Sequence, residues 1–378
     1  MEIAPFLTEH FFARYEFSTP YQLCNSDCET VTVGELLEMA GVAPAALREL
    51  ALGYTETQGS PAVREAIAAI YTNVGAQEVV ELGSPVEGIY LAARALLEPG
   101  DEVIVLTPGY DALINLFEHV AGAEQVKRWA FRATATGWAL DMAELEGLIT
   151  PQTRLLVVNF PHNPTGFSPA RGRLEALARI VEEHGLWLFC DEMYHGLFHS
   201  GTEAIPSAAD VTERAVVLSG LSKTYGLPGL RSGWLVIQDE VVRERVLNWK
   251  YYTSICPPAP SEFLALAALR AREMLRRRSI VQIEQNLALA TAFFERWPDL
   301  FVWRPPQAGS TALVEVKVPS VTALAEKLAA EAGVLILPAV TLGGNDGQMR
   351  MGFGRAGFGE ALTHLERYLR ENVARGGE

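Results

Sequence analysis

A lysine and an arginine eight positions apart mark the part of this sequence whose residues could do chemistry. Lys223 follows residues 215–218, an apolar run that predicts a buried strand, and leucines and glycines flank it in sequence. A lysine held away from water has a lowered pKa and can attack a carbonyl carbon. The serines of the segment and Arg231 match the oxygens of a phosphate group. The segment therefore indicates either a site for pyridoxal phosphate (PLP), whose aldehyde forms a Schiff base with lysine, or a structural loop.

The segment that begins at Ser222 resembles the lysine signature of the class I and II aminotransferases, which are PLP-dependent enzymes of fold type I. It reads Ser-Lys-Thr-Tyr-Gly-Leu-Pro-Gly-Leu-Arg-Ser-Gly. The resemblance implies that Lys223 forms the Schiff base and that Arg231, Ser222 and Ser219 bind the phosphate. It also implies that an amino group moves between an L-amino acid and a 2-oxo acid by a ping-pong mechanism, with Lys223 as general base and acid.

Two further motifs follow predicted strands. Asn163 begins an Asn-Pro-Thr-Gly motif, and Asp191 begins Asp-Glu-Met-Tyr, which ends at Tyr194. Taken alone, an Asn-Pro turn is usually structural, and an aspartate after a strand is either a helix cap or a buried functional carboxylate. The resemblance implies that Asn163 and Tyr194 hydrogen-bond the ring oxygen of PLP, and that Asn163 also contacts the substrate. It further implies that Asp191 pairs with the pyridinium nitrogen and keeps the ring electron-withdrawing.

Two more residues gain a role only through the resemblance. Tyr110 lies beyond the predicted strand 103–106, where an aromatic residue usually packs in the core or at its rim. In the family this position stacks on the pyridine ring. Arg350 lies in an alternating strand, where it is either an outward-facing surface residue or, as the resemblance implies, a clamp for the substrate's α-carboxylate.

A helix beginning at Pro85 predicts a second part of the phosphate site. Ser84, Pro85 and Glu87 fit a capping box, and the free amides of a helix N-terminus attract anions. The segment aligns with the family's phosphate loop but departs from it, because Ser84 replaces a glycine and Pro85 has no N–H to donate. The phosphate is thus expected to contact Ser84, the Val86 amide and the Lys223 segment.

One tyrosine is expected to act in another subunit. Tyr54 and Gly59 match the family's Tyr-x4-Gly spacing, in which the tyrosine reaches the phosphate of the partner's cofactor, although a turn aromatic is the simpler interpretation. The loop after Trp249 loosely resembles a segment at the family's dimer interface. Both features predict a two-fold homodimer.

Strands and helices alternate regularly from about residue 103 to residue 237, which predicts an α/β fold with a mostly parallel sheet covered by helices on both faces. By resemblance this sheet has seven strands, and a smaller α+β domain accompanies it. The predicted limits are 1–48 for an N-terminal arm with part of the small domain, 49–260 for the large PLP-binding domain, and 261–378 for an interdomain helix and the C-terminal small domain. That helix is expected to run from about residue 260 to residue 297.

Composition excludes several other classes. The chain has 378 residues and a net charge of −15, which disfavours nucleic acid as a partner. The basic run 270–278 is expected to be a solvated helix face. Cys24 and Cys28 lack nearby partners for a zinc site, so no metal is expected. Neither a signal peptide nor a membrane span is recognisable, which predicts a cytoplasmic protein.

Other functions remain as alternatives. The nearest is a different fold-type I PLP reaction, catalysed by a C–S lyase, a decarboxylase or an amino-acid oxidase, since one cofactor site hosts many chemistries. A PLP-sensing transcription regulator would need an additional DNA-binding module. A nucleotide-dependent dehydrogenase would need a Gly-x-Gly-x-x-Gly motif after its first strand, and the sequence has no such motif at that place.

Overall fold

The computed structural model describes residues 3–373. Its strands are β1 (Tyr21–Gln22), β2 (Val79–Leu82), β3 (Glu102–Thr107), β4 (Val126–Ala130), β5 (Arg132–Ala133), β6 (Trp138–Ala139), β7 (Thr153–Asn159), β8 (Trp187–Asp191), β9 (Ala215–Gly220), β10 (Gly233–Ile237), β11 (Phe301–Val302), β12 (Thr311–Val316), β13 (Val334–Leu335), β14 (Leu337–Pro338) and β15 (Gln348–Gly352). Its α-helices are α1 (Leu7–Tyr15), α2 (Val33–Met39), α3 (Pro44–Arg48), α4 (Pro61–Ala68), α5 (Pro85–Leu96), α6 (Ala112–Ala121), α7 (Met142–Leu148), α8 (Arg171–Glu183), α9 (Glu240–Tyr251), α10 (Ala259–Arg270), α11 (Arg272–Arg296), α12 (Val321–Lys327) and α13 (Phe358–Val373).

A seven-stranded sheet forms the centre of the molecule, in the order β2-β10-β9-β8-β7-β3-β4. Only β10 runs antiparallel to its neighbours in this sheet. The mostly parallel sheet expected from the sequence is therefore confirmed. The parallel strands β7 and β8 are adjacent, so their carboxyl ends bring Asn159 and Asp191 side by side at one edge, where α/β sheets bind ligands.

Both faces of this sheet are covered, which explains why its strands are apolar almost throughout. Along β8, Leu188 and Cys190 face one core cluster, which also contains residues of α2, α4, α8 and α10. The intervening Phe189 faces the opposite cluster, built with α5, α6 and α9. Alternate side chains of a strand point to opposite faces, so a strand buried on both sides needs apolar residues at every position.

A second sheet has four antiparallel strands in the order β11-β12-β15-β14 and packs with α11, α12 and α13. The N-terminal segment joins this part of the chain, because β1 pairs in parallel with β13. The domain limits at residues 48 and 260 stay a prediction.

The single helix expected over residues 260–297 is wrong, because α10 ends at Arg270 and α11 begins at Arg272. The break lets the two helices serve different cores. Leu264 of α10 packs in a cluster of the large sheet, whereas Phe293 of α11 packs with the small sheet. The basic run is also less solvated than expected, since Arg278 donates hydrogen bonds to the carbonyls of Glu29 and Thr30 at 2.7 and 3.0 Å.

Across residues 3–373 the structure has no helix with the length and apolar character needed to cross a bilayer.

Candidate functional site

A cavity of about 540 Å³ opens beyond the carboxyl ends of β7, β8 and β9. This volume is in the range typical of small-molecule sites. The predicted residues that line it are Val86, Tyr110, Asn163, Asp191, Tyr194, Ser222, Lys223, Arg231 and Arg350. The structure thus brings together residues from widely separated parts of the sequence.

Lys223 lies two residues beyond the buried Leu221, just after β9, and its amine reaches into the cavity. Its Nζ donates a hydrogen bond to Ser26 Oγ at 2.9 Å. Burial lowers the pKa of Lys223, and the positive charge of Arg350 lowers it further, while Asp27 acts in the opposite direction. The lowered pKa increases the fraction of neutral amine, which is the form that acts as a nucleophile or a base.

Ser26 is a site residue that the sequence analysis missed. It lies on the loop between β1 and α2, which packs along β15 through a hydrogen bond from Gly352 N to Leu23 O at 2.8 Å. A Cβ on Gly352 would lie 1.7 Å from Asn25 O, so only glycine permits this close approach. Ser26 also hydrogen-bonds the Tyr194 side chain, and therefore links that phenol to the Lys223 amine.

Asp191 ends β8 with its side chain buried and accepts a hydrogen bond from Met193 N at 2.9 Å. Burial raises the pKa of Asp191 to about 7. Within the described residues its carboxylate forms no ion pair, so a cationic ligand atom beside it would stabilise the ionised form. A pyridinium nitrogen is such an atom.

Asn159 is another site residue that the sequence analysis missed, and it fixes the positions of two predicted site residues, Asp191 and Asn163. Its Nδ2 donates to the Asp191 backbone carbonyl at 2.8 Å, and its Oδ1 accepts from the backbone N–H of Asn163 at 2.7 Å. The only hint in the sequence was its position as the last polar residue of β7. Tyr110 also lines the cavity and packs against Phe6, with ring centroids 5.3 Å apart.

Arg231 identifies the end of the cavity suited to a phosphate. Its backbone adopts a left-handed conformation with φ of 52°, which is unfavourable for a residue with a Cβ and often marks functional sites. The Arg231 guanidinium donates to Ser84 Oγ at 2.7 Å, and Ser222 and Val86 lie at the same cavity. In the first turn of α5, Pro85 has no N–H and the Glu87 amide donates to the Ser84 carbonyl, which leaves the Val86 amide to bind an anion.

The capping box predicted at Ser84 is wrong, although α5 does begin at Pro85. The Ser84 hydroxyl accepts from Arg231, and the Glu87 carboxylate accepts from Gly83 N at 3.1 Å and Thr253 Oγ1 at 2.6 Å. Two distant residues, Arg231 and Thr253, have therefore replaced the exchange between Ser84 and Glu87, while Gly83 remains a local partner of Glu87. Ser84 and Ser219 do not line the cavity itself, and Ser219 Oγ donates to the Glu192 carbonyl at 3.4 Å.

Arg350 is not on the surface, since only 2% of it is exposed. It donates to the Cys24 carbonyl through Nε at 3.2 Å and through Nη2 at 2.9 Å, and to Asn163 Oδ1 through Nη1 at 3.3 Å. These bonds hold the guanidinium at the cavity wall. The surface interpretation is thus excluded, and the carboxylate clamp stays a prediction.

Tyr54 lies outside this cavity and is 91% exposed. Its neighbour Thr55 donates to the Pro257 carbonyl at 2.6 Å, which attaches the Tyr54 segment to the loop after α9. Tyr54 therefore does not contribute to the cavity of its own chain.

The cavity offers partners for three functional groups of PLP. Arg231, Ser222 and the Val86 amide can bind the phosphate, Asp191 can pair with the ring nitrogen, and Lys223 offers an amine for the aldehyde.

Comparisons with known proteins agree with this chemistry. The family model for aminotransferase class I and II matches residues 26–364. Capreomycidine synthase of Streptomyces vinaceus is 31% identical over 341 residues, which are 89% of this chain and 86% of that protein. Arginine–pyruvate transaminase of Pseudomonas aeruginosa is 32% identical over 335 residues, 83% of this chain and 81% of that protein. The crystal structure of a PLP-dependent aminotransferase from Streptococcus suis matches with a TM-score of 0.91 and 28% identity, and covers 98% of this chain and 99% of that chain.

Proposed function

The chain belongs to the class I and II aminotransferases, which use PLP, and from this membership we propose that it moves an amino group between an L-amino acid and a 2-oxo acid at the cavity around Lys223. The observation that carries the proposal is the convergence of three groups on one cavity. These are the amine of Lys223, the buried carboxylate of Asp191 and the buried guanidinium of Arg350.

Each of these groups has a task that follows from its surroundings. Arg350 binds the substrate's α-carboxylate through its two-pronged guanidinium, since it is held rigidly by Cys24 and Asn163. Lys223 takes the α proton at Nζ, because its lowered pKa makes the neutral amine available as a base. Ser26 orients that nitrogen. Bound PLP supplies an electron-withdrawing ring that stabilises negative charge at the substrate's α carbon, and Asp191 strengthens this effect by pairing with the ring nitrogen.

The alternative is another PLP-dependent reaction, such as that of a C–S lyase, a decarboxylase or an amino-acid oxidase. The residues that bind the cofactor do not select which bond breaks, and one of the relatives is named as a synthase rather than a transaminase.

Steady-state kinetics with a donor and an acceptor test the proposal. Because the amino group resides on the enzyme between two half-reactions, double-reciprocal plots at several acceptor concentrations should be parallel lines. Turnover of the amino acid that is independent of any 2-oxo acid would support the alternative reactions instead.

We also propose that the active form is a two-fold homodimer with composite sites. The exposed Tyr54 lies on a segment bonded to the loop after α9. Tyr251 at the end of α9, and Tyr252 and Ile255 beyond it, are exposed as well. Large apolar side chains that are exposed on two bonded segments are typical of a protein interface. In the dimer, Tyr54 would reach the phosphate end of the partner's cavity.

Co-expression of two inactive variants tests the composite site. Lys223→Ala removes the amine of its own site, and Tyr54→Phe, once shown to be inactive as a homodimer, removes a hydroxyl from the partner's site. Random pairing should restore about a quarter of wild-type activity, because hybrid dimers contain one intact site. A fully active monomer in sedimentation would rule the dimer out.

A further inference from the structure

Resting on the aminotransferase function proposed above, we propose that the amino acid bound in this cavity carries a positively charged side chain, which is bound by Glu16, Glu9 and Asn25. The substrate class is an α-amino acid whose flexible stem ends in a guanidinium or an ammonium group.

Two carboxylates of the cavity have no part in the chemistry described above. Of the acidic residues that line it, Asp191 faces the place of the ring nitrogen, and Asp27 pairs with Arg355 through two hydrogen bonds of 3.0 and 2.6 Å. Glu16 and Glu9 remain. In the part of the chain that the structure describes, the Glu16 carboxylate forms neither an ion pair nor a hydrogen bond, and that of Glu9 accepts only a long bond of 3.4 Å from the Tyr110 hydroxyl.

These two carboxylates lie along α1 and at its C-terminal end. Glu9 and Phe12 lie on α1, and Glu16 is its C-cap residue, which keeps a helical backbone. The three are three and then four residues apart, so they share one helix face, and all three line the cavity. The Phe12 ring centroid is 5.8 Å from the Arg350 guanidinium carbon. A substrate whose carboxylate is held by Arg350 therefore has this helix face beside it, with an aromatic surface for the stem and carboxylates for a terminal cation.

The helix is anchored well enough to act as a binding wall. Thr8 N donates to Asp111 Oδ2 at 3.1 Å, and Thr8 Oγ1 donates to the Thr341 carbonyl at 3.2 Å. These bonds join α1 to residues that follow β3 on one side and β14 on the other. The positions of Glu9 and Glu16 are thereby fixed relative to Arg350.

A separate observation also indicates a hydrogen-bond donor in the ligand. Asn25 lines the cavity and is only 7% exposed, and its Oδ1 has no hydrogen-bond partner among the described residues. A buried amide oxygen without a donor is costly, and a guanidinium or ammonium N–H would remove that cost.

The charges around Glu16 also favour a substrate with a positively charged side chain. Burial raises the pKa of Glu16, and the negative charges of Asp27 and Glu9 raise it further, while the positive charges of Arg355 and Lys223 lower it by less. A cation between these carboxylates would relieve their repulsion, whereas the side chain of an acidic substrate would add to it.

A matched pair of donors tests the proposal, because arginine and citrulline have nearly the same shape and differ in charge. The wild-type enzyme should have a kcat/KM for arginine that is roughly tenfold to a hundredfold higher than for citrulline. Glu16→Gln should remove most of this preference by slowing arginine alone, and Glu38→Gln, an exposed change on α2, should leave it intact. Equal use of both donors by the wild type, or an equal loss for both in Glu16→Gln, would overturn the proposal.

Binding of unreactive analogues separates this proposal from the proposed reaction. 5-Guanidinopentanoate lacks the α-amino group, and 5-ureidopentanoate is its uncharged counterpart. Calorimetry with the PLP-loaded protein should show tighter binding of the guanidino acid by roughly tenfold or more, and loss of that difference in Glu16→Gln. If no donor is transaminated but this difference is found, the substrate class holds and the reaction is wrong. If transamination proceeds without the difference, the reaction holds and the substrate class is wrong.

Discussion

Replacing Lys223 with alanine should lower kcat by roughly a thousandfold or more, because the change removes both the amine that reacts with the cofactor's aldehyde and the base that accepts the α proton. The PLP-loaded variant should also lose the absorbance band that distinguishes a lysine-bound cofactor from free PLP. Activity and absorbance spectra of the purified variant check both effects. Lys317→Ala, a change at an exposed lysine, is the matched control and should behave as the wild type does.

Borohydride reduction of the wild type gives a second measurement of the same prediction. The reagent should fix PLP to the peptide that contains Lys223 and to no other lysine. Lys250 is an informative internal competitor, because it is fully buried and its pKa is also lowered by burial. Its Nζ donates to Ser254 Oγ at 2.6 Å, and the residue does not line the cavity. Label on Lys250, Lys317 or Lys327 would contradict the assignment.

Arg350→Ala should weaken transition-state binding by about 2 to 4 kcal/mol, with most of the loss seen as a higher KM for the amino acid. The reason is that a buried, preoriented guanidinium is lost, and the substrate's carboxylate then has no charged partner. Arg350→Lys should recover only part of the loss, because an ammonium group lacks the planar fork. Steady-state kinetics of the variants, with thermal unfolding to verify the fold, measure these effects.

A substrate without the carboxylate provides the control for Arg350. The wild type and Arg350→Ala should differ much less with the decarboxylated amine than with the amino acid, since the amine cannot use the clamp. Unchanged kinetics with the amino acid itself would show that Arg350 only supports the loop that carries Cys24.

The parts of the site that could be predicted lie next to recognisable elements. Asp191 ends an apolar strand, Asn163 and Lys223 follow two others, and the carboxyl ends of adjacent parallel strands must meet at one edge. Arg350 was ambiguous because a lone alternating strand does not show which of its faces will be covered. The covering loop, with Cys24, lies more than three hundred residues earlier in the sequence.

What could not be predicted arises from contacts between distant segments. Glu16, Asn25 and Ser26 reach the cavity because β1 pairs with β13 near the other end of the chain, and no local pattern specifies that pairing. The same cause explains the error at Ser84. Its local sequence suits a capping box, but Arg231, 147 residues away, supplies the partner that its hydroxyl uses.

The central claim, that this cavity transfers amino groups, is tested most directly by a single half-turnover. With an amino acid donor and no 2-oxo acid, the PLP-loaded enzyme should release about one equivalent of 2-oxo acid per active site and then stop, with the cofactor recovered as pyridoxamine phosphate. Addition of a 2-oxo acid should restore PLP and yield a new amino acid. Continuing release of ammonia, or release of carbon dioxide or sulfide without conversion of the cofactor, would contradict the claim.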